Sequence, residues 1–176
     1  MKNYDVVVIG AGPGGYVAAI RAAQLGLSTA CIESWLDEDG KPALGGTCLN
    51  VGCIPSKALL DTSHHFSFLK NESKQHGINT AGVSIDVRRM IQRKRGVVQR
   101  LTLGVAGLFK KNKVEWLKGH GTLRGEGRIE VRPVGDEAGE NYTVAARHII
   151  IATGSVPMRI PPAQVDNELI ADSTGA

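Results

Sequence analysis

No apolar run in this 176-residue chain approaches the roughly 20 residues a helix needs to cross a bilayer, so no membrane span is expected. A signal-peptide pattern is missing too, because Val6–Ile9 runs straight into a glycine turn. Cysteine is confined to three residues. Without a secretion signal they suit a reducing, cytoplasmic compartment, where a paired cysteine motif is more often catalytic than structural. Aromatics are sparse at 5%, and they scarcely interleave the basic cluster of Arg88, Arg89, Arg93, Lys94, Arg95, Arg100, Lys110, Lys111 and Lys113. A nucleic-acid surface would want rings beside those charges, so the cluster is expected to be the solvated outer face of a helix. What remains is 42% hydrophobic and 22% charged, with a net charge of +4: an ordinary globular balance, long enough for one domain with a real core.

The chain opens on a dinucleotide pattern. Tyr4–Ile9 is a β-branched run, the expected first strand of a buried parallel sheet. It leads into Gly10-Ala11-Gly12-Pro13-Gly14-Gly15, which contains G-x-G-x-x-G as Gly10, Gly12 and Gly15. An alanine-rich helix is predicted from Tyr16 to about Leu25, with Val17, Ile20, Ala23 and Leu25 facing inward and Gly26 closing it. Ser28–Glu33 is a second strand that ends in an acid, 18 residues after Gly15. A lone glycine motif is weak; between a strand and a helix, with that acid following, it is a dinucleotide fingerprint. Gly10 permits the tight turn, Gly12 lets backbone N–H groups approach a pyrophosphate, and Gly15 lets helix pack on strand. The helix N-terminus stabilises the phosphate charge, and Glu33 accepts hydrogen bonds from the adenosine ribose. The fingerprint does not distinguish FAD from NAD.

Cys48 and Cys53 lie in Gly45-Gly46-Thr47-Cys48-Leu49-Asn50-Val51-Gly52-Cys53-Ile54-Pro55-Ser56-Lys57. They have three candidate roles: a structural disulfide, metal ligands, or a redox-active dithiol. Five residues of regular helix rise about 7.5 Å, beyond the roughly 7 Å Cα separation a disulfide tolerates. A bridge therefore needs distorted backbone, for which Gly52 supplies the freedom. Closing so short a loop constrains the unfolded chain little, and a strained bridge is easier to reduce. Zinc usually takes four ligands, and the nearest candidates, His64 and His65, are adjacent and would point apart on a helix. No metal site is assigned. The redox pair is the favoured reading, and Cys31, in an apolar strand, is expected to be a buried small hydrophobe.

Trp35–Leu44 reads as a surface loop. A helix is predicted from Thr47 to about Leu69, with Pro55 bending it or marking a fresh first turn. Asp86 caps a second long helix, roughly Val87 to Lys111, which must pack on its neighbour because Gly96, Gly104 and Gly107 weaken it. Val114–Leu117, Gly121–Leu123, Arg128–Val134 and Tyr142–Ala146 read as short strands of a small antiparallel sheet. His148–Ala152 is a buried parallel strand ending at Thr153-Gly154-Ser155, and Val156–Pro162 is an extended linker.

The cysteine stretch resembles the redox motif of the flavin-dependent pyridine nucleotide–disulfide oxidoreductases (class I), in wording closest to their dihydrolipoyl dehydrogenase branch. Glutathione and mercuric reductases tend to carry valine in place of Leu49 and Ile54, and glutathione reductases a lysine in place of Ser56. Thr153-Gly154-Ser155 is similar to that family's A-T-G turn. The resemblance covers essentially the whole chain and implies an α/β fold: a Rossmann-like FAD-binding domain with a parallel sheet and a ββα-type insertion of two long helices and a small antiparallel sheet. It implies FAD at the N-terminal fingerprint, with Gly14, Gly46, Thr47, Gly121, Thr153, Gly154 and Ser155 beside it. Cys48 would be the interchange thiol, Cys53 the flavin-side thiolate, and Lys57 a cation near the reactive flavin nitrogen. The implied reaction oxidises dihydrolipoamide with NAD⁺, whose site lies outside this chain.

Residues 1–155 would form the N-terminal part of the FAD domain, and 156–176 a linker and the start of an NAD domain. The family is more than twice this long, so the sequence is expected to be an N-terminal fragment or one piece of a split chain. The implied partners are lipoyl groups, on a 2-oxoacid dehydrogenase acyltransferase or the glycine-cleavage carrier, and a second subunit in a homodimer. Two other readings stay open: a mercuric or glutathione-type reductase of the same family, or a non-catalytic flavin-binding fragment.

Overall fold

The computed structural model describes residues 1–135 and 138–175. Its order is β1 (Lys2–Ile9), α1 (Pro13–Gln24), β2 (Thr29–Glu33), α2 (Gly46–Asn50), α3 (Cys53–Asn71), a short 3₁₀ turn (Ser73–His76), α4 (Val87–Asn112), β3 (Glu115–Leu123), β4 (Arg128–Pro133) and β5 (Tyr142–Ile151). The fold is α/β, as expected. β1 lies between β2 and β5, parallel to both, with Val6 opposite Thr29 and His148. β2 continues the parallel sheet into β3, where Glu33 faces Lys118. β4 joins the far half of β3 to the near half of β5, antiparallel to each.

The expected four short strands of the antiparallel part are therefore three. The two expected runs Val114–Leu117 and Gly121–Leu123 are one strand, β3, and Tyr142–Ala146 continues without a break into the parallel strand as β5. Gly119, in the gap between those two expected runs, lies inside β3, where a Cβ would sit 2.6 Å from Val131 Cγ1. A side chain would push β4 off, whereas hydrogen lets the ladder run through.

Alternation along β1 builds two cores. Val6 and Val8 face the helices, where they pack with Ala19, Cys31, Leu49, Val105 and Phe109. Val7 and Ile9 face the space enclosed by the antiparallel strands, with Ile32, Leu117, Ile129 and Val131. Cys31 is fully buried, and burial pushes its thiol well above the ordinary range.

Several expectations change on packing. α1 starts at Pro13, with proline in its first turn. It turns Gly15, Ala19 and Ala22 to the sheet, while Val17 (56%) and Leu25 (62%) are exposed rather than inward. Close approach to β1 and β2 selects the small residues. Gly26 follows the C-cap as expected: its N–H donates to Ala23 O and that of Leu27 to Ala22 O. The single helix expected after Thr47 is two, α2 and α3, interrupted at Val51 and Gly52; Pro55 marks the fresh first turn of α3. The loop over residues 35–44 is exposed in its middle, but Ala43 and Leu44 at its end are buried.

α4 begins at its Asp86 cap, whose carboxylate accepts the Arg89 N–H at 3.0 Å. It packs along α3, and the basic cluster is not wholly an outer face. Arg93 reaches across to the Ala58 carbonyl at 3.0 Å and to Asp61 at 2.8 Å, and Arg95 pairs with Glu38 at 2.8 Å. No helix among the described residues is long and apolar enough to cross a membrane. Ala176, the last residue of the expected second segment, lies outside the described residues.

Candidate active site

Three stretches far apart in sequence meet at the carboxyl ends of the parallel strands. The Gly10 N–H donates to Ile32 O at 2.8 Å, and the Ala152 N–H to Ile9 O at 2.8 Å, so the ends of β1, β2 and β5 are tied together. The thiol loop is attached to them: the Gly45 N–H donates to Ala11 O at 2.9 Å. Gly46, at φ 57, lies so near the glycine turn that an added Cβ would stand 2.8 Å from Gly12 Cα. Only glycine tolerates both that angle and that distance.

Between these segments lies a cavity of about 540 Å³. Gly10, Gly12, Glu33, Gly46, Thr47, Cys48, Cys53, Gly121, Thr153, Gly154 and Ser155 all line it. Three residues singled out from the sequence do not. Gly15 packs on the Gly10 carbonyl, Gly14 faces open space, and Lys57 is an exposed residue one turn into α3. A second cavity, of about 470 Å³ around Met1, Lys2, Glu115 and Tyr142, has neither thiol nor glycine cradle.

The electrostatics of the main cavity suit an anion at one end. α1 points its N-terminus there, with Gly12 as N-cap, no side chain capping it and no acid in its first turn. Glu33 is held from within the protein: Oε2 accepts the Ala11 N–H at 2.7 Å, and Oε1 accepts those of Ser34 at 2.7 Å and Trp35 at 3.0 Å. A carboxylate keeps lone pairs beyond those three for a further donor. The strand-then-acid pattern marked Glu33 but not Ser34 and Trp35, which follow it into the cavity wall. His120, between Gly119 and Gly121 on β3, also lines the cavity; no spacing signal pointed to it.

The thiols lie at the other end. Cys48 is the third residue of α2 and Cys53 the first of α3. At Gly52 an added Cβ would stand 3.0 Å from Thr47 O and 3.4 Å from Cys48 Cα, so a side chain there would crowd the junction of α2 and α3. The Cys48 thiol is raised above its ordinary value, first by its side-chain hydrogen bond with Cys53, then by burial and the charge of Cys53; the Cys53 backbone N–H and then the Lys57 ammonium oppose this. The Asn50 amide nitrogen donates to Leu44 O at 3.1 Å and Gly46 O at 2.9 Å, bracing the loop. His64 and His65 lie on α3 away from the thiols, and His65 pairs with Asp61 at 3.4 Å. Among the described residues no three His, Cys, Asp or Glu side chains gather as a metal site.

A dinucleotide cradle beside a close thiol pair can bind a redox cofactor and exchange electrons with it through sulfur. Comparison with known proteins agrees. Residues 4–174 match the family model described as pyridine nucleotide-disulphide oxidoreductase. The chain is 50% identical over 177 residues to dihydrolipoyl dehydrogenase of Cupriavidus necator, covering 99% of this chain and 36% of that protein. It is 51% identical over 172 residues to the mitochondrial dihydrolipoyl dehydrogenase of Pisum sativum, covering 98% and 32%. Leghemoglobin reductase of Vigna unguiculata is 49% identical over 172 residues, covering 98% and 31%. The chain thus spans about a third of the length of the curated relatives it matches.

Proposed function

The chain belongs to the pyridine nucleotide-disulphide oxidoreductase family, and on that premise we propose that it forms the flavin- and dithiol-bearing part of a dihydrolipoyl dehydrogenase. The observation that carries this reading is the convergence of the glycine turn, the thiol loop and the Thr153-Gly154-Ser155 turn on one cavity that ends at Cys48 and Cys53. The residues fit FAD: a glycine cradle that side chains would fill, an uncapped helix N-terminus for pyrophosphate, and Glu33 for the ribose. Gly14 and Gly15 complete the turn, while Gly46, Thr47, Gly121 and Thr153–Ser155 line the rest. FAD held there would supply a two-electron acceptor beside the thiols, with NAD⁺ as the final oxidant bound in another part of the protein.

The chain's own part is thiol–disulfide exchange. A thiolate of dihydrolipoamide attacks Cys48 Sγ of the Cys48–Cys53 disulfide, forming a mixed disulfide and releasing Cys53 as thiolate. The second substrate thiolate then displaces Cys48, so the substrate leaves oxidised as lipoamide and the protein pair is left as dithiol. Lys57 stabilises the negative charge that this sequence gathers near the thiols. Residues 1–155 act as the N-terminal part of the FAD domain, and 156–176 lead toward an NAD domain. The whole protein would work as a cytoplasmic homodimer on lipoyl groups, carried by a 2-oxoacid dehydrogenase acyltransferase or the glycine-cleavage carrier.

The test is a visible spectrum of the full-length protein before and after adding dihydrolipoamide, followed by NAD⁺. A flavin spectrum that gains a long-wavelength charge-transfer band, then returns as NADH appears, is the expected result. A flavin spectrum that dihydrolipoamide leaves unchanged, with no such band, would refute the assignment.

A further inference from the structure

We infer that Asn50 is a positioning residue that holds the α2 turn in bridging geometry and thereby sets the reduction potential of the Cys48–Cys53 pair. The inference rests on the redox reading of that pair. α2 has five residues, too few to be stable alone. Its entry runs through Gly45 and Gly46, at φ 105 and 57, and its N-cap offers no side-chain hydrogen bond. Contacts from outside must hold it. Leu49 anchors one side in the core, and the Gly45 N–H reaches Ala11 O. The third is the Asn50 amide, which joins the last residue of α2 to the Leu44 and Gly46 carbonyls at its start. Both partners are acceptors, so the amide nitrogen, not the oxygen, must face them. That side chain closes the turn carrying Cys48 into a ring.

The clamp acts on thiol chemistry through effective concentration. When the disulfide forms, the two thiols lose two protons and two electrons, and oxidised glutathione can take these up as two glutathione thiols. The more consistently the dithiol form holds Cys48 beside Cys53, the further this equilibrium lies toward the bridge. Gly52 already allows α3 to approach the Cys48 backbone closely. Removing the Asn50 amide frees the other side of the turn to fray. The disulfide then becomes easier to reduce, although neither sulfur has been altered.

The experiment equilibrates the full-length, flavin-bound protein anaerobically with graded ratios of oxidised and reduced glutathione. Acid quenching, alkylation and peptide mass analysis then give the Cys48–Cys53 disulfide fraction for the native protein, Asn50→Ala and Asn50→Ser. Two lost hydrogen bonds should lower the disulfide equilibrium constant about tenfold in each variant, a shift of about 30 mV toward easier reduction. Flavin content should stay near native values, and the thermal midpoint should fall by no more than a few degrees. An unchanged or raised constant in a folded variant overturns the inference. So does loss of fold in both variants, since Asn50 would then support the domain rather than the pair. If the native protein forms no Cys48–Cys53 disulfide at any ratio, it is the underlying redox reading that fails.

Discussion

Gly46 and Gly12 meet backbone to backbone across the candidate site, with room for no Cβ on Gly46. One belongs to the turn that would cradle a pyrophosphate, the other opens the helix that carries Cys48. Nucleotide cradle and thiol loop are therefore a single mechanical unit, and a change in one moves the other.

Gly46→Ala should cost roughly 1–3 kcal/mol from left-handed strain alone, and more from the contact with Gly12. Thermal unfolding and flavin content should both fall. A variant with native stability and full flavin would mean that the close approach is not needed.

Glu33→Gln should destabilise the flavin-free protein as well as weaken dinucleotide binding. Its two carboxylate oxygens serve N–H donors on opposite sides, whereas an amide has one acceptor oxygen. Each orphaned buried donor costs about 1–3 kcal/mol. Unfolding of the apoprotein measures this directly; a loss confined to dinucleotide affinity would leave Glu33 with a ribose contact only.

Cys48→Ser in the full-length protein should abolish dithiol turnover while a long-wavelength band from Cys53 and the flavin persists, and Cys53→Ser should lose that band. Normal turnover by the Cys48 variant would remove it from the interchange role.

Alkylation of Cys48 in the reduced protein should have its pH midpoint above that of an ordinary thiol, because hydrogen bonding to Cys53 and burial disfavour its thiolate. Lys57→Met should move the midpoint higher still, since the Lys57 charge lowers it alongside the Cys53 backbone N–H. The sign for stability follows. A thiol raised in the folded state contributes fully below the unfolded thiol value, and the contribution is lost as pH rises through the folded one. A rate profile with iodoacetamide decides it: a midpoint at or below the ordinary thiol value contradicts the hydrogen bond.

Much of the fold was legible because its signals are local. Tyr4–Ile9, the glycine turn and Ser28–Glu33 each announce their conformation within a few residues, and the start of the long α4 was readable from its Asp86 cap. The misreadings share a cause in packing. Val17 and Leu25 looked inward by hydrophobicity, but the face of α1 against the sheet is taken by the small Gly15, Ala19 and Ala22. The gap between Val114–Leu117 and Gly121–Leu123 looked like a break, yet Gly119 carries β3 through it as a rung against β4.

By itself the sequence determined the dinucleotide fingerprint, in the spacing of Gly10, Gly12, Gly15 and Glu33, and, through the resemblance carried by the wording around Cys48 and Cys53, the family of chemistry. Only the tertiary structure decided which groups act together. The Gly12–Gly46 contact, the Arg93–Asp61 bridge between α3 and α4, and the brace of Asn50 on the thiol turn depend on where the backbone returns to itself. That return is set by burying two faces of one sheet at once, a condition on the whole chain that no short stretch of it contains.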